Sequence, residues 1–175
     1  NTASEASTVL VADIGGSNSR FAIATLTRGW PRLGDVVSYA NAGAAELETQ
    51  LERYLAEHAP ATPDFACFAV AGPVVDGRAR LTNRPWSIDA AALAETFAFR
   101  EVVLLNDFAA LAHGLAFLPS GGSTVLQAGA RDARGPLAVL GPGTGLGAAL
   151  VVAPGQEQRV VPTEAGHADF APVAA

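Results

Sequence analysis

The sequence predicts an α/β fold, and three observations point to it. The apolar run Val102-Val103-Leu104-Leu105 is closed by Asn106 and Asp107, which reads as a buried strand ending in polar side chains. Two Gly-rich turns each lie between a pair of apolar segments, so each reads as strand, tight turn, strand. Between them, Leu47, Leu51, Tyr54 and Leu55 recur at helical spacing and make one buried face.

Taken in order, strands are expected near 8–14, 19–26 and 35–40, followed by a helix over 44–57. The first two strands come from Val9-Leu10-Val11-Ala12 and Phe21-Ala22-Ile23-Ala24. Strands over 64–74 and 78–82 come next, joined by a tight turn at Asp76-Gly77, a dipeptide that tolerates positive φ. A helix over 88–97 with Ser87 as its N-cap, a strand over 101–106 and a helix over 108–117 complete the first part. After Pro119-Ser120-Gly121-Gly122-Ser123 the composition turns small and polar, which places a boundary between 1–118 and 119–175. In the second part, Leu137-Ala138-Val139-Leu140 and Ala148-Ala149-Leu150-Val151-Val152 flank the second Gly-rich turn.

With 175 residues, 50% of them hydrophobic and 16% charged, the chain can bury a core and is expected to hold one domain plus part of another. A net charge of −6 argues against a nucleic-acid partner, since phosphate backbones are bound through excess Lys and Arg. Cys67, alone within the apolar run 65–70, reads as a small buried hydrophobe and fits a reducing cytoplasm. No run of about eighteen apolar residues and no basic leader occurs, so neither a membrane span nor a signal peptide is expected.

The chemistry gathers at four places. In the turn Asp13-Ile14-Gly15-Gly16-Ser17-Asn18-Ser19-Arg20, and again in Gly141-Pro142-Gly143-Thr144-Gly145-Leu146-Gly147, glycines let the main chain approach a ligand. Successive N–H groups in such turns form a concavity for anions. The second is not a dinucleotide fingerprint, because its glycines alternate and a strand follows. All 11 Lys and Arg residues are Arg, so no P-loop lysine exists and phosphate binding must rely on backbone amides and a metal, with Arg20 as a further candidate. Asn106 and Asp107, at a strand's carboxyl end, are either candidate ligand-facing groups or a helix cap. Glu164-Ala165-Gly166-His167 allows a metal-ligand reading, which Pro162, Gly166 and the single copy of the motif disfavour. His58 and His113 lack such company and read as a surface and a packing histidine.

Together these segments resemble the bacterial glucokinases of the hexokinase, actin and heat-shock ATPase superfamily. The resemblance rests on residues 13–20, Ala71-Gly72-Pro73-Val74, Leu81-Thr82-Asn83-Arg84-Pro85-Trp86, Leu105-Asn106-Asp107-Phe108, residues 143–147 and Glu164-Ala165-Gly166-His167-Ala168-Asp169-Phe170, in the family's order. Ser17 replaces the usual Thr and keeps the hydroxyl. The resemblance implies an actin-like ATPase (ribonuclease H-like) fold: a small lobe over 1–118, its mixed β-sheet flanked by helices, and the start of a large lobe over 119–175. It implies phosphoryl transfer from ATP to glucose, with Asp107 as the base and Asn106, Asp107, Glu164 and His167 on the sugar. Gly15, Gly16, Ser17, Asn18, Gly143, Thr144 and Gly145 would face phosphates, and Asp13 would hold Mg2+ directly or through water. A homodimer is one state it allows. A further sugar-binding Glu, the adenosine site and a returning helix are expected beyond Ala175, so the 175-residue chain alone is expected to bind glucose weakly without transferring phosphate. The rival from another class is a non-catalytic sugar sensor, which would keep Asn106, Glu164 and His167 without needing Asp107.

Overall fold

The computed structural model describes residues 7–27, 31–81, 84–130, 132, 134–142, 145–152 and 158–168. Contacts divide the chain into two units, Asn1–Asp107 and Phe108–Ala175.

The first unit is built on a mixed sheet. β1 (Ser7–Ile14) and β2 (Asn18–Leu26) form an antiparallel hairpin, with β3 (Arg32–Leu33) and β4 (Val37–Ala40) both pairing with β2. β5 (Phe65–Val70) lies parallel to β1, and β9 (Glu101–Asn106) parallel to β5. Parallel neighbours need crossovers. The first carries α1 (Leu47–His58), and the second carries a small antiparallel sheet followed by α2 (Ala90–Phe97). That small sheet joins β6 (Val74–Val75), β7 (Arg78–Arg80) and β8 (Ser87–Asp89).

Strand alternation decides which face is covered. Leu10, Ala12 and Ile14 of β1, Ala66, Phe68 and Val70 of β5, and Val102 and Leu104 of β9 are buried in one cluster with Leu47, Leu51 and Tyr54 of α1, Leu93 of α2 and Ile88 of β8. The intervening residues Val11, Cys67 and Leu105 are only half-buried. Burial pushes the Cys67 thiol above its ordinary range, as expected of a packing residue.

Several elements differ from the sequence expectation. The strand expected over 64–74 is two strands, because Ala71 and Gly72 turn the chain by donating N–H bonds to Ile14 O and Val70 O. Ser87 does not cap α2. It begins β8, whose buried Ile88 pairs with Ala79, and Asp89 caps instead, its Oδ1 accepting the N–H groups of Ala91 (3.0 Å) and Ala92 (3.3 Å). The Asp76-Gly77 turn is as expected, with φ of 49° and 70°. His113 is exposed rather than packed, whereas His58 stacks on Tyr54 at 5.1 Å.

The second unit holds all of α3 (Asp107–Gly114) but its first residue, continued by a 3-10 turn at Leu115–Phe117, and then the antiparallel sheet β10 (Leu137–Pro142), β11 (Leu146–Val152) and β12 (Arg159–Thr163). Ala112, Val139, Ala149 and Val151 form its core, with Phe108, Leu115, Leu137 and Val160 packed around them. Since the helix packs with this sheet, the contact division falls after Asp107, ahead of the boundary read after residue 118.

Candidate functional site

Strand registers set the geometry of the first unit. Ile14 lies opposite Val70, and Val70 opposite Asn106, so the Asp13–Asn18 turn and the Asn106-Asp107 pair share the carboxyl end of the sheet. Two strand spacings separate them, about 10 Å. This is where ligands of open α/β sheets gather.

The turn is closed by the Gly15 N–H donating to Asn18 O at 3.0 Å. Gly15 and Gly16 are half-buried, while Ser17 and Asn18 are exposed. Asp13 stands opposite Arg20 across the hairpin, and Arg20 Nη1 donates to Asp13 Oδ2 at 2.7 Å, with both side chains about half exposed (50% and 53%). A metal at Asp13 would therefore share its carboxylate with Arg20. A single carboxylate beside a Gly-rich turn fits Mg2+, a cation that keeps most of its waters and takes few ligands from the protein.

Behind the turn lies a polar network centred on Asn41, to which the sequence reading assigned no role. Buried Asn41 donates from Nδ2 to Gly15 O (2.8 Å) and from its backbone N–H to Ser17 O (2.8 Å). Its Oδ1 accepts from Ser19 Oγ (2.8 Å) and Gln50 Nε2 (3.2 Å), both on buried residues. Gln50 Nε2 also donates to Ala40 O at 3.1 Å. Arg84, its guanidinium 5.0 Å from the Trp86 ring centroid, donates from Nε to Gly16 O at 2.9 Å.

At the other position, β9 ends at Asn106 and α3 begins at Asp107. Asn106 Nδ2 donates to Asp107 Oδ1 (3.0 Å) and to Gly72 O (3.3 Å), just past the end of β5. The carboxamide thus orients the neighbouring carboxylate. Both residues are half-buried, so the carboxylate stays within reach of a ligand.

The other residues singled out in the sequence lie in the second unit, and of these Gly143 and Thr144 fall outside the described residues. Gly145, just before β11, is exposed. Glu164 is exposed and follows β12, an edge strand that can accommodate Pro162. Ala165–His167 form a single 3-10 turn, started by the Ala165 N–H donating to Thr163 Oγ1 at 2.9 Å. Gly166 seats this turn against β11, where any Cβ would run into the Leu146 carbonyl. The His167 side chain lies outside the described residues. Without a regular helix, Glu164 and His167 do not share a helix face, and no cluster of three or more metal-binding side chains occurs among the described residues. Nor, among them, is any helix long and apolar enough to cross a membrane.

The chain is similar to known proteins along most of its length. The family model for glucokinase matches residues 10–175. The glucokinase of a Nostoc species is 36% identical over 167 residues, which cover 94% of this chain and 48% of that protein. The crystal structure of a glucokinase from an Antarctic psychrotroph superposes with a TM-score of 0.80 at 36% identity, covering 95% of this chain and 53% of that one. A glucokinase from Balamuthia mandrillaris, solved in complex with glucose, gives a TM-score of 0.71 at 20% identity over 99% of this chain and 52% of its own, and shows the shared fold. The fold is the actin-like (ribonuclease H-like) ATPase fold. The chain spans about half the length of the curated relatives it matches. By the family match over nearly its whole length, and by a structural likeness at 36% identity, the chain belongs to the glucokinase family.

Proposed function

We propose that the protein carrying this chain transfers the terminal phosphate of ATP to the 6-hydroxyl of glucose. The observation that carries the proposal is the Asn106-Asp107 pair at the carboxyl end of β9, with the Asp107 carboxylate held by the Asn106 carboxamide. Phosphoryl transfer asks the protein mainly for alignment and charge stabilisation. Asp107 accepts the proton of the sugar's primary hydroxyl as that oxygen attacks the terminal phosphate. Asn106, Glu164 and His167 orient the ring through its other hydroxyls. The N–H groups of the Gly15–Asn18 turn, with Gly143, Thr144 and Gly145 from the second hairpin, face the phosphates. Asp13 would hold Mg2+, directly or through water, and that ion would neutralise charge on the phosphates. The two units are read as the small lobe and the opening of the large lobe of the family's architecture. Glucose and ATP are the proposed partners, and the cytoplasm the proposed location; a homodimer belongs to the same reading.

Hexose discrimination follows from hydroxyl contacts, since a buried polar group left unpaired costs about 1–3 kcal/mol. The test is a coupled assay of the full-length protein with ATP, Mg2+ and a panel of hexoses. Glucose should be the preferred acceptor. Tight glucose binding without turnover would instead identify a sensor.

A further inference from the structure

We propose that Asn41 and Gln50 are positioning residues that aim the Gly16 and Ser17 N–H groups of the turn at the nucleotide's phosphates, a role resting on the reaction assigned above. Every carbonyl oxygen of the turn is engaged by the protein. Gly15 O accepts from Asn41 Nδ2, Gly16 O from Arg84 Nε, Ser17 O from the Asn41 N–H and Asn18 O from the Gly15 N–H. A peptide unit is planar and trans, so its C=O and the next residue's N–H point in opposite directions. Fixing the Gly15 oxygen on Asn41 therefore fixes where the Gly16 N–H points, and fixing the Gly16 oxygen on Arg84 does the same for Ser17.

The consequence is electrostatic. Among the described residues the Gly16 and Ser17 N–H groups make no hydrogen bond, so they remain available as anion donors. Glycine-rich turns flip readily, because glycine populates both signs of φ. A flipped Gly15-Gly16 unit would offer an oxygen where a phosphate needs a donor, and Asn41 opposes that flip.

Gln50 acts one step further back. Its Nε2 fixes the Asn41 carboxamide, yet its own Oε1 is buried without a hydrogen-bond partner among the described residues. Replacing Gln50 by Met roughly keeps volume and removes that unmet acceptor, which offsets part of the cost of losing the Nε2 bonds to Asn41 Oδ1 and Ala40 O, so the change should leave the fold intact. A merely structural network would show the reverse pattern of effects.

The test is Gln50→Met and Asn41→Asp in the full-length protein, with melting temperature, steady-state kinetics and ATP titration measured for each. Gln50→Met should melt within about 4 °C of the unsubstituted protein while raising KM for ATP about threefold to tenfold, the worth of one hydrogen bond. KM for glucose should move by less than about twofold in both variants, since the turn faces phosphate and not sugar. Amide exchange at Gly15, whose N–H closes the turn, should quicken in Gln50→Met. An unchanged KM for ATP and an unchanged Gly15 exchange rate in Gln50→Met would overturn the proposal. Should the unsubstituted protein form no sugar phosphate, the assigned reaction fails alone, and the same loss of ATP affinity by titration still decides the positioning role.

Discussion

Replacing Asp107 by Asn separates chemistry from geometry at this site. Asn106 Nδ2 donates to Asp107 Oδ1 at 3.0 Å, and an asparagine carbonyl in the same place can still accept that bond. The local arrangement, including the second Asn106 bond to Gly72 O at 3.3 Å, should therefore survive. What disappears is a group able to take a proton at neutral pH. Loss of a general base lowers turnover by roughly 10²- to 10⁴-fold. At about 1.4 kcal/mol per factor of ten, that adds about 3–5 kcal/mol to the barrier. Steady-state assay of glucose 6-phosphate formation by the full-length variant should show this fall in kcat, with KM for glucose changed by less than about threefold. Asp107→Ala should raise KM for glucose as well, because it also removes an acceptor of the Asn106 carboxamide. Turnover of Asp107→Asn within a factor of a few of the unsubstituted protein would refute the assignment of Asp107 as the base.

Glu164→Ala and His167→Ala should each weaken glucose binding by about 1–3 kcal/mol in calorimetric titration, since the proposed function pairs each with a sugar hydroxyl. Added zinc should change nothing, and a stoichiometric transition metal lost in His167→Ala would restore the metal-ligand reading. The Asp89 carboxyl is held below its ordinary range by the Arg78 guanidinium and by the capped N–H groups of Ala92 and Ala91. Its stabilising effect is therefore present at neutral pH and is lost as pH falls through the lowered pKa. The melting-temperature gap between the unsubstituted chain and Asp89→Ala should be widest near neutral pH and close below about pH 4; a gap independent of pH would contradict the cap.

What was legible in the sequence was local. Val102 to Asn106 declared a strand and its polar end, and the first Gly-rich hairpin declared its turn, because both depend on residues adjacent in the chain. The α1 face was legible for the same reason. β3 was not, since Arg32 and Leu33 are strand only through pairing with Thr25 and Ala24. Ser87 reads locally as a cap, but Ile88 pairs with Ala79, a contact made by the sheet and not by neighbours. Pro162 spoke against helix correctly, yet nothing local marked an edge strand around it. Asn41 and Gln50 were invisible as site residues, and Arg84 was legible only as part of a resembling segment, because the tertiary fold alone brings them to the turn, Asn41 from 26 positions beyond Gly15 and Arg84 from 68 beyond Gly16. Asn41 is nevertheless a polar residue between an expected strand and helix, which was the one available signal.

The most direct measurement of the central claim is phosphorus NMR of the full-length protein with ATP, Mg2+ and glucose. The proposed function predicts that a phosphomonoester on the sugar's C6 oxygen grows as fast as ADP appears, and that the signal is absent without glucose. ADP and inorganic phosphate accumulating with no sugar phosphate, or phosphate on another hydroxyl, would contradict it.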